Sequence, residues 1–228
     1  MMPDGDGFSA NDPTRNAELR REMVETQLLP RGVDDPRVLE AMQTVPRDAF
    51  VPPAYRHLAY EDGPLPIGFG QTISQPFTVA YMAQALKLRG DEKVLEVGTG
   101  SGYGAAVLSK LARSVWTIER IPELAESARR KLAELGYENV RVITGDGSIG
   151  LPEEAPFDGI VVTAGAPRLP EGYLEQLAEG GRLVIPVGGE GGQVLYAFTR
   201  RPDGDVSIED LGGFVFVPLI GRHGRSAP

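Results

Sequence analysis

The chain has 228 residues, 41% of them hydrophobic and 24% charged, with a formal net charge of -9. That length suffices for one well-buried domain. The acidic balance excludes a general nucleic-acid binder, which needs a basic footprint, and a resting place on an anionic membrane surface. With no Cys there is neither a disulfide framework nor a thiol nucleophile.

In chain order, residues 1–14 are polar and rich in Gly and Pro, which predicts a disordered tail. They lack the basic start and apolar core of a signal peptide, so the expected compartment is the cytoplasm. No later stretch approaches the roughly 18 apolar residues of a membrane-spanning helix. Residues 15–228 are expected to form one domain: an N-terminal helical part over 15–88 and a sheet over 89–228. Leu19, Met23, Val24 and Leu28 form an apolar stripe that Pro30 and Gly32 end. Asp35 before Pro36 is a helix cap with Pro at the first helical position, and Val38, Leu39 and Met42 follow. After the long loop "EDGPLPIGFGQTISQP", Pro76 opens a helix through Phe77, Ala80, Tyr81, Ala83 and Leu86.

From Asp91 the pattern becomes strand, turn, helix, repeated. "KVLEVG" is a strand, "YGAAVLSKLA" a helix, "SVWTIE" a strand. "IPELAESARRKLAELG" is a helix begun by Pro122 and ended by Gly136, with Leu124, Ala125, Ala128, Leu132 and Leu135 on its buried face. "NVRVITGD", "FDGIVVTAG", "GRLVIPVG" and "QVLYAFTRR" are four more strands, with "PEGYLEQLAEG" a helix between the second and third. "GGFVFVPLIG" is expected to be a last strand returning to the sheet. Such alternation predicts an α/β fold, a doubly wound, mostly parallel sheet with helices on both faces, preceded by the helical extension.

"LEVGTGSGYG" delivers Gly98, Gly100 and Gly102 into a tight turn before a helix, where small residues let a ligand approach the backbone. A dinucleotide and S-adenosyl-L-methionine both fit such a turn. The dinucleotide fingerprint started at Gly98 meets Tyr103 where a third Gly belongs, and started at Gly100 it passes only in its loosest form. Glu96 lies before the glycines, Glu119 ends the next strand, and "GDG" at 145–147 closes the third. Acid with glycines, acid, then Asp at successive strand ends is the arrangement of class I methyltransferases.

Together with "GQTISQP" and the late "FVPL" at 216–219, these stretches give a chain that resembles the protein-L-isoaspartate O-methyltransferase family over roughly residues 18–220. The resemblance implies a Rossmann-like methyltransferase fold and methyl transfer from S-adenosyl-L-methionine to the free carboxylate of L-isoaspartyl residues in damaged proteins and peptides. S-adenosyl-L-homocysteine is then the product, and no metal takes part. It makes Ser74 the residue that orients the acceptor carboxylate, with Thr72, Val217, Pro218 and Leu219 also on the substrate side. Ile73, Glu96, Gly98, Gly100, Ser101, Gly102, Glu119, Arg120, Asp146, Gly147 and Thr163 fall on the cofactor side. Glu119 is expected at the ribose, and Asp146 with Gly147 at the adenine. The implied enzyme is a cytoplasmic monomer acting without nucleic acid or membrane.

Gly104 departs from the bulkier residue common there, which should loosen the start of its helix. Ser74 also has a local alternative as the cap of the helix that Pro76 opens. His57 reads as structural and His223 as solvated, and two His without Cys give no evident metal-ligand cluster. Left open are a class I methyltransferase acting on a small molecule or another side chain, a cofactor-binding module without catalysis, and a nicotinamide oxidoreductase.

Overall fold

The computed structural model of the chain describes residues 13–189 and 191–226. The first twelve residues of the expected tail lie outside that range, and helix α1 (Pro13–Met23) already begins at the thirteenth. A wider π-type turn, Val24–Leu28, and a tight turn, Leu29–Arg31, carry the chain to Gly32, whose φ of 84° ends the helical run. Asp35 caps α2 (Pro36–Thr44) by accepting from the Arg37 and Val38 amides. Strands β1 (Leu65–Gly68) and β2 (Gln71–Ile73) pair as a small antiparallel hairpin inside the long loop. That hairpin delivers the chain into α3 (Pro76–Ala85).

The main sheet contains β3 (Lys93–Val97), β4 (Ser114–Glu119), β5 (Val140–Thr144), β6 (Phe157–Val162), β7 (Leu177–Gly189), β8 (Gly192–Arg200) and β9 (Val206–Phe214), in the order β5-β4-β3-β6-β7-β8-β9. The first five in that order run parallel, and β8 and β9 add antiparallel at the far edge. Strand order reverses between β3 and β6. Open α/β sheets bind ligands in the crevice at the strand C-termini beside such a reversal. Helices α4 (Tyr103–Ser109), α5 (Pro122–Glu134) and α6 (Glu171–Glu175) fill the crossovers.

Alternate strand residues feed two cores, as the two-residue period requires. Val94, Val115, Val161 and Val184 pack with α1, α2, α3 and α4 on one face. Leu95, Trp116, Ile160 and Leu183 pack on the other with Tyr173 and Leu219. The second face is thus covered mainly by short α6 and the C-terminal segment. Among the described residues no helix is long and apolar enough to cross a membrane.

Four expectations change. The last strand is Val206–Phe214, not "GGFVFVPLIG". It is an edge strand with Ile208 62% exposed, and edges carry charge rather than apolar alternation, which hides "VSIED" in the sequence. The helix at 170–180 stops at Glu175. There the Gln176 carbonyl accepts from the Phe157 amide at 2.8 Å and draws the chain into β7. Leu135 is 38% exposed, because the chain turns at Gly136 (φ 76°) and Tyr137 packs in its place. His57 is exposed rather than structural.

Candidate active site

The donor side grows from the C-terminal ends of β3 and β4. Gly98, Gly100 and Gly102 all have positive φ (99°, 52° and 91°), a conformation that favours glycine. The turn is pinned from both sides. Thr163, just past β6, donates its hydroxyl to the carbonyls of Val97 (3.0 Å) and Gly98 (2.9 Å). A Cβ at Gly98 would collide with that same Oγ1. From β4, Glu119 accepts the Gly100 amide on Oε2 (2.9 Å) and the Ile121 amide on Oε1 (3.0 Å). Its carboxylate is buried yet borders the cleft, so it fixes the glycine turn while presenting oxygen to a ligand.

Glu96 is 1% exposed and accepts from the Thr117 hydroxyl at 2.6 Å, which in turn lies 2.6 Å from the Thr99 hydroxyl. Burial pushes its carboxyl up to about 8, the Thr117 hydrogen bond opposing this and the neighbouring Glu119 charge adding to it. Burial thus favours its protonated form. Gly104 makes the room: a Cβ there would strike Glu96 Oε1. The small residue does not leave the helix loose. Its missing side chain is replaced by a carboxyl group.

The acceptor side comes from two distant segments. The first is the turn between β2 and α3. Gln75, not Ser74, is the N-cap of α3, and no side chain closes that cap. Among the described residues the Ser74 hydroxyl has no hydrogen-bond partner, so the capping role falls and the hydroxyl is free to serve the cleft. Gln75 donates to Asp62 (2.7 Å), which also receives Arg31 at 3.0 Å, and the Arg31 guanidinium lies 3.9 Å from the centre of the Phe77 ring.

The second segment follows β9. Phe77, Tyr81 and Phe214 stack with ring centres 5.3–6.3 Å apart, and Phe216 continues the row at 6.1 Å from Phe214. The chain then crosses the strand ends, with the Gly165 amide donating to the Val217 carbonyl (2.8 Å) and the Leu219 amide to the Gly165 carbonyl (2.9 Å).

Both sides open on one cleft of about 1080 Å³, at the upper end of the size range of small-molecule sites. Thr72, Ile73 and Ser74 line it, as do Glu96, Gly98, Gly100 and Ser101. So do Glu119, Arg120, Gly147 and Thr163, with Val217, Pro218 and Leu219. A side cavity of about 30 Å³ links Ser74 with Glu96 and Gly104, room for a single water.

Two expected residues lie elsewhere. Gly102 is not among the cleft-lining residues, and a Cβ on it would sit 3.3 Å from Ala128 and Leu132 of α5. Its glycine serves close helix packing. The Asp146 carboxylate is off the lining. Oδ1 accepts the Ser148 amide (2.9 Å) and Oδ2 the Arg222 amide (2.8 Å), so it ties the C-terminal turn to the end of β5. These bonds hold it below the usual carboxylate range, against the opposing effect of partial burial. The Thr163 hydroxyl is likewise spent on the backbone. Sequence reasoning missed Arg31, Phe77, Gln193, Phe214 and Phe216 as cleft residues. Phe77, beside the "TISQP" loop, and Phe216, at the head of "FVPL", had a local signal.

The family model described as protein-L-isoaspartate(D-aspartate) O-methyltransferase matches residues 18–224. The chain belongs to this family. A protein-L-isoaspartate O-methyltransferase 2 of Marinobacter nauticus is 57% identical over 209 residues, covering 91% of this chain and 95% of its own. A protein-L-isoaspartate O-methyltransferase of Syntrophotalea carbinolica is 58% identical over 205 residues, 90% of this chain and 94% of its own. Among solved structures, a protein-L-isoaspartate O-methyltransferase superposes with a TM-score of 0.78 at 30% identity, covering 92% of this chain and 67% of that one. A Plasmodium falciparum protein named as a β-aspartate methyltransferase, solved with S-adenosyl-L-homocysteine, gives 0.75 at 28% identity over 88% of this chain and 98% of its own. Membership in the isoaspartyl methyltransferase family displaces the dinucleotide reading of the glycine turn.

Proposed function

We propose that this chain transfers a methyl group from S-adenosyl-L-methionine to the free carboxylate of L-isoaspartyl residues in damaged proteins and peptides. The resulting ester collapses to a succinimide, whose hydrolysis returns some normal aspartate. The observation that carries the reading is the shared cleft. A glycine turn held by Glu119 and Thr163 faces an unpartnered serine hydroxyl across one cavity.

The residues present fit the donor. Gly98, Gly100 and Ser101 would face its methionine part, Glu119 its ribose hydroxyls, and Gly147 its adenine, with Arg120 at the rim and Ile73 as a wall. Asp146 acts at one remove by shaping the adenine end. When bound, the donor supplies an electrophilic sulfonium methyl with a neutral thioether as leaving group.

The chain's own task is placement. An isoaspartyl carboxylate ordinarily titrates near pH ~4, so it is ionised at neutral pH and needs no general base. Ser74 donates to one acceptor oxygen and turns the other toward the methyl, with Thr72 beside it and Val217, Pro218 and Leu219 as the opposite wall. Such alignment contributes up to roughly 7–11 kcal/mol in ideal cases. Burial pushes Glu96 toward its neutral form, which weakens any repulsion of the incoming carboxylate.

The reading includes one domain, since a single core joins Met23 and Val24 of the helical part to Val94 and Val161 of the sheet. It also includes a monomer in the cytoplasm acting without membrane or nucleic acid, in keeping with a net charge of -9. The test is radiolabelled methyl transfer to paired peptides that differ only in isoaspartate versus aspartate. Label is expected in the isoaspartyl peptide alone. Equal label in both, or none in either, overturns the proposal.

A further inference from the structure

We infer that Gln193 is a positioning residue for acceptor binding, setting the acceptor wall by carrying the β8–β9 hydrogen-bond ladder one step beyond its backbone end. This rests on the reading of Val217, Pro218 and Leu219 as that wall.

Backbone pairing between β8 and β9 stops at Gln193 opposite Phe214. Past that point the chain leaves the sheet to cross the strand ends, and the Phe216 amide has no strand carbonyl to meet. Gln193 supplies the acceptor from its side chain, Oε1 taking the Phe216 N–H at 2.8 Å. Its Nε2 donates to the Gly189 carbonyl at 2.6 Å, near the tip of the β7–β8 hairpin. The residue itself is 6% exposed, which shields the Phe216 bond more than the one to Gly189, an exposed residue. A carboxamide of this reach offers an acceptor and an N–H donor on one planar group.

Space for the carboxamide comes from Gly165. A Cβ there would sit 2.9 Å from Gln193 Cδ and 3.2 Å from Cγ and Nε2. Gly165 also holds the next stretch of wall through Val217 and Leu219. The two residues therefore act as one device, with Gln193 fixing where the segment departs and Gly165 where it lands. Neither takes part in the hydrogen bonds that clamp the glycine turn, which belong to Thr163 and Glu119. Acceptor affinity should depend on the device and donor affinity should not.

The experiment compares Gln193→Leu, Gly165→Ala and the double variant with wild type. It measures KM for an isoaspartyl peptide and Kd for S-adenosyl-L-homocysteine by calorimetry. Gln193→Leu is expected to raise KM about tenfold, in line with stranding one buried amide, while Kd stays within about twofold. Gly165→Ala is expected to raise KM similarly by pushing the carboxamide off Phe216. The double variant is expected to be no worse than Gln193→Leu alone, since coupled residues are not additive. Gln193→Glu should recover wild-type KM toward lower pH, where a protonated carboxyl again offers donor and acceptor. That variant and Gly165→Ala decide the matter if Gln193→Leu does not fold. Unchanged KM, additive effects, or KM and Kd rising together overturn the inference. Val217→Asp separates the two levels: if it raises KM while Gln193→Leu does not, the wall stands and Gln193 falls, and if neither does, the wall itself is wrong.

Discussion

The donor and acceptor sides of the cleft are built on different principles. The donor side comes mainly from nearby strand ends, and side chains lock it, Thr163 on the carbonyls of Val97 and Gly98, Glu119 on the amides of Gly100 and Ile121, and the Thr117 hydroxyl on the Glu96 carboxyl. The acceptor side joins residues 72–77 to residues 214–219. It presents a free serine hydroxyl, a row of rings and a Val215 that is 80% exposed. One invariant donor rewards a rigid, preformed site, because little is lost in ordering it. Acceptors arrive on many different protein chains, and a face of rings and neutral hydroxyls suits varied neighbours while fixing only the carboxylate.

That contrast can be broken by variants that strike one side alone. The largest effect is expected for Ser74→Ala, which should lower kcat about 100-fold, comparable to losing one preorganised donor, with the S-adenosyl-L-homocysteine Kd unchanged. Equal turnover would remove Ser74 from the site. Glu119→Ala should weaken S-adenosyl-L-homocysteine by about 30-fold in calorimetry, because two backbone amides lose their acceptor together with the ribose contact. Phe216→Ala should raise KM about fivefold for a peptide with aromatic flanks, near the value of one aromatic pair. The same substitution should leave a glycine-flanked peptide almost unaffected, and equal losses for both peptides would make the row a structural element only.

A further effect concerns Glu96 and reads out as stability rather than as activity. Its folded value near 8 exceeds the unfolded value of 4.5. The folded state therefore binds the extra proton between those limits, and stability from this group is complete below about 4.5 and is lost as pH rises through about 8. Thermal melts should show wild type losing more between pH 5 and pH 9 than Glu96→Gln, at about 2–4 °C per kcal/mol for a chain of this size. Parallel curves would mean that Glu96 is charged in the folded protein at neutral pH.

Much of the donor side was legible because strand periodicity and glycine spacing are local properties. Asp35 as a cap, the βα alternation and the acid at each strand end all follow from neighbours in sequence. Position at a strand end does not reveal which way a side chain turns, however. Gly102 and Asp146 both sit where the sequence puts them, yet one packs under α5 and the other holds Arg222, 76 residues away. The "FVFV" alternation looked like a strand because one of its faces packs on rings of α3, whereas the true edge strand carries too much charge to look like one. Gln193 gave no signal at all, since its meaning depends on an amide 23 residues later.

The central claim is that the donor lies along Gly98, Gly100, Glu119 and Gly147 with its sulfur turned toward Ser74. A crystal structure of the protein with S-adenosyl-L-homocysteine tests it most directly. The account predicts ribose hydroxyls within hydrogen-bond distance of Glu119 and a clear line from the sulfur to the Ser74 hydroxyl. A ligand bound away from Glu119, or with its sulfur facing away from residues 72–75, would contradict it.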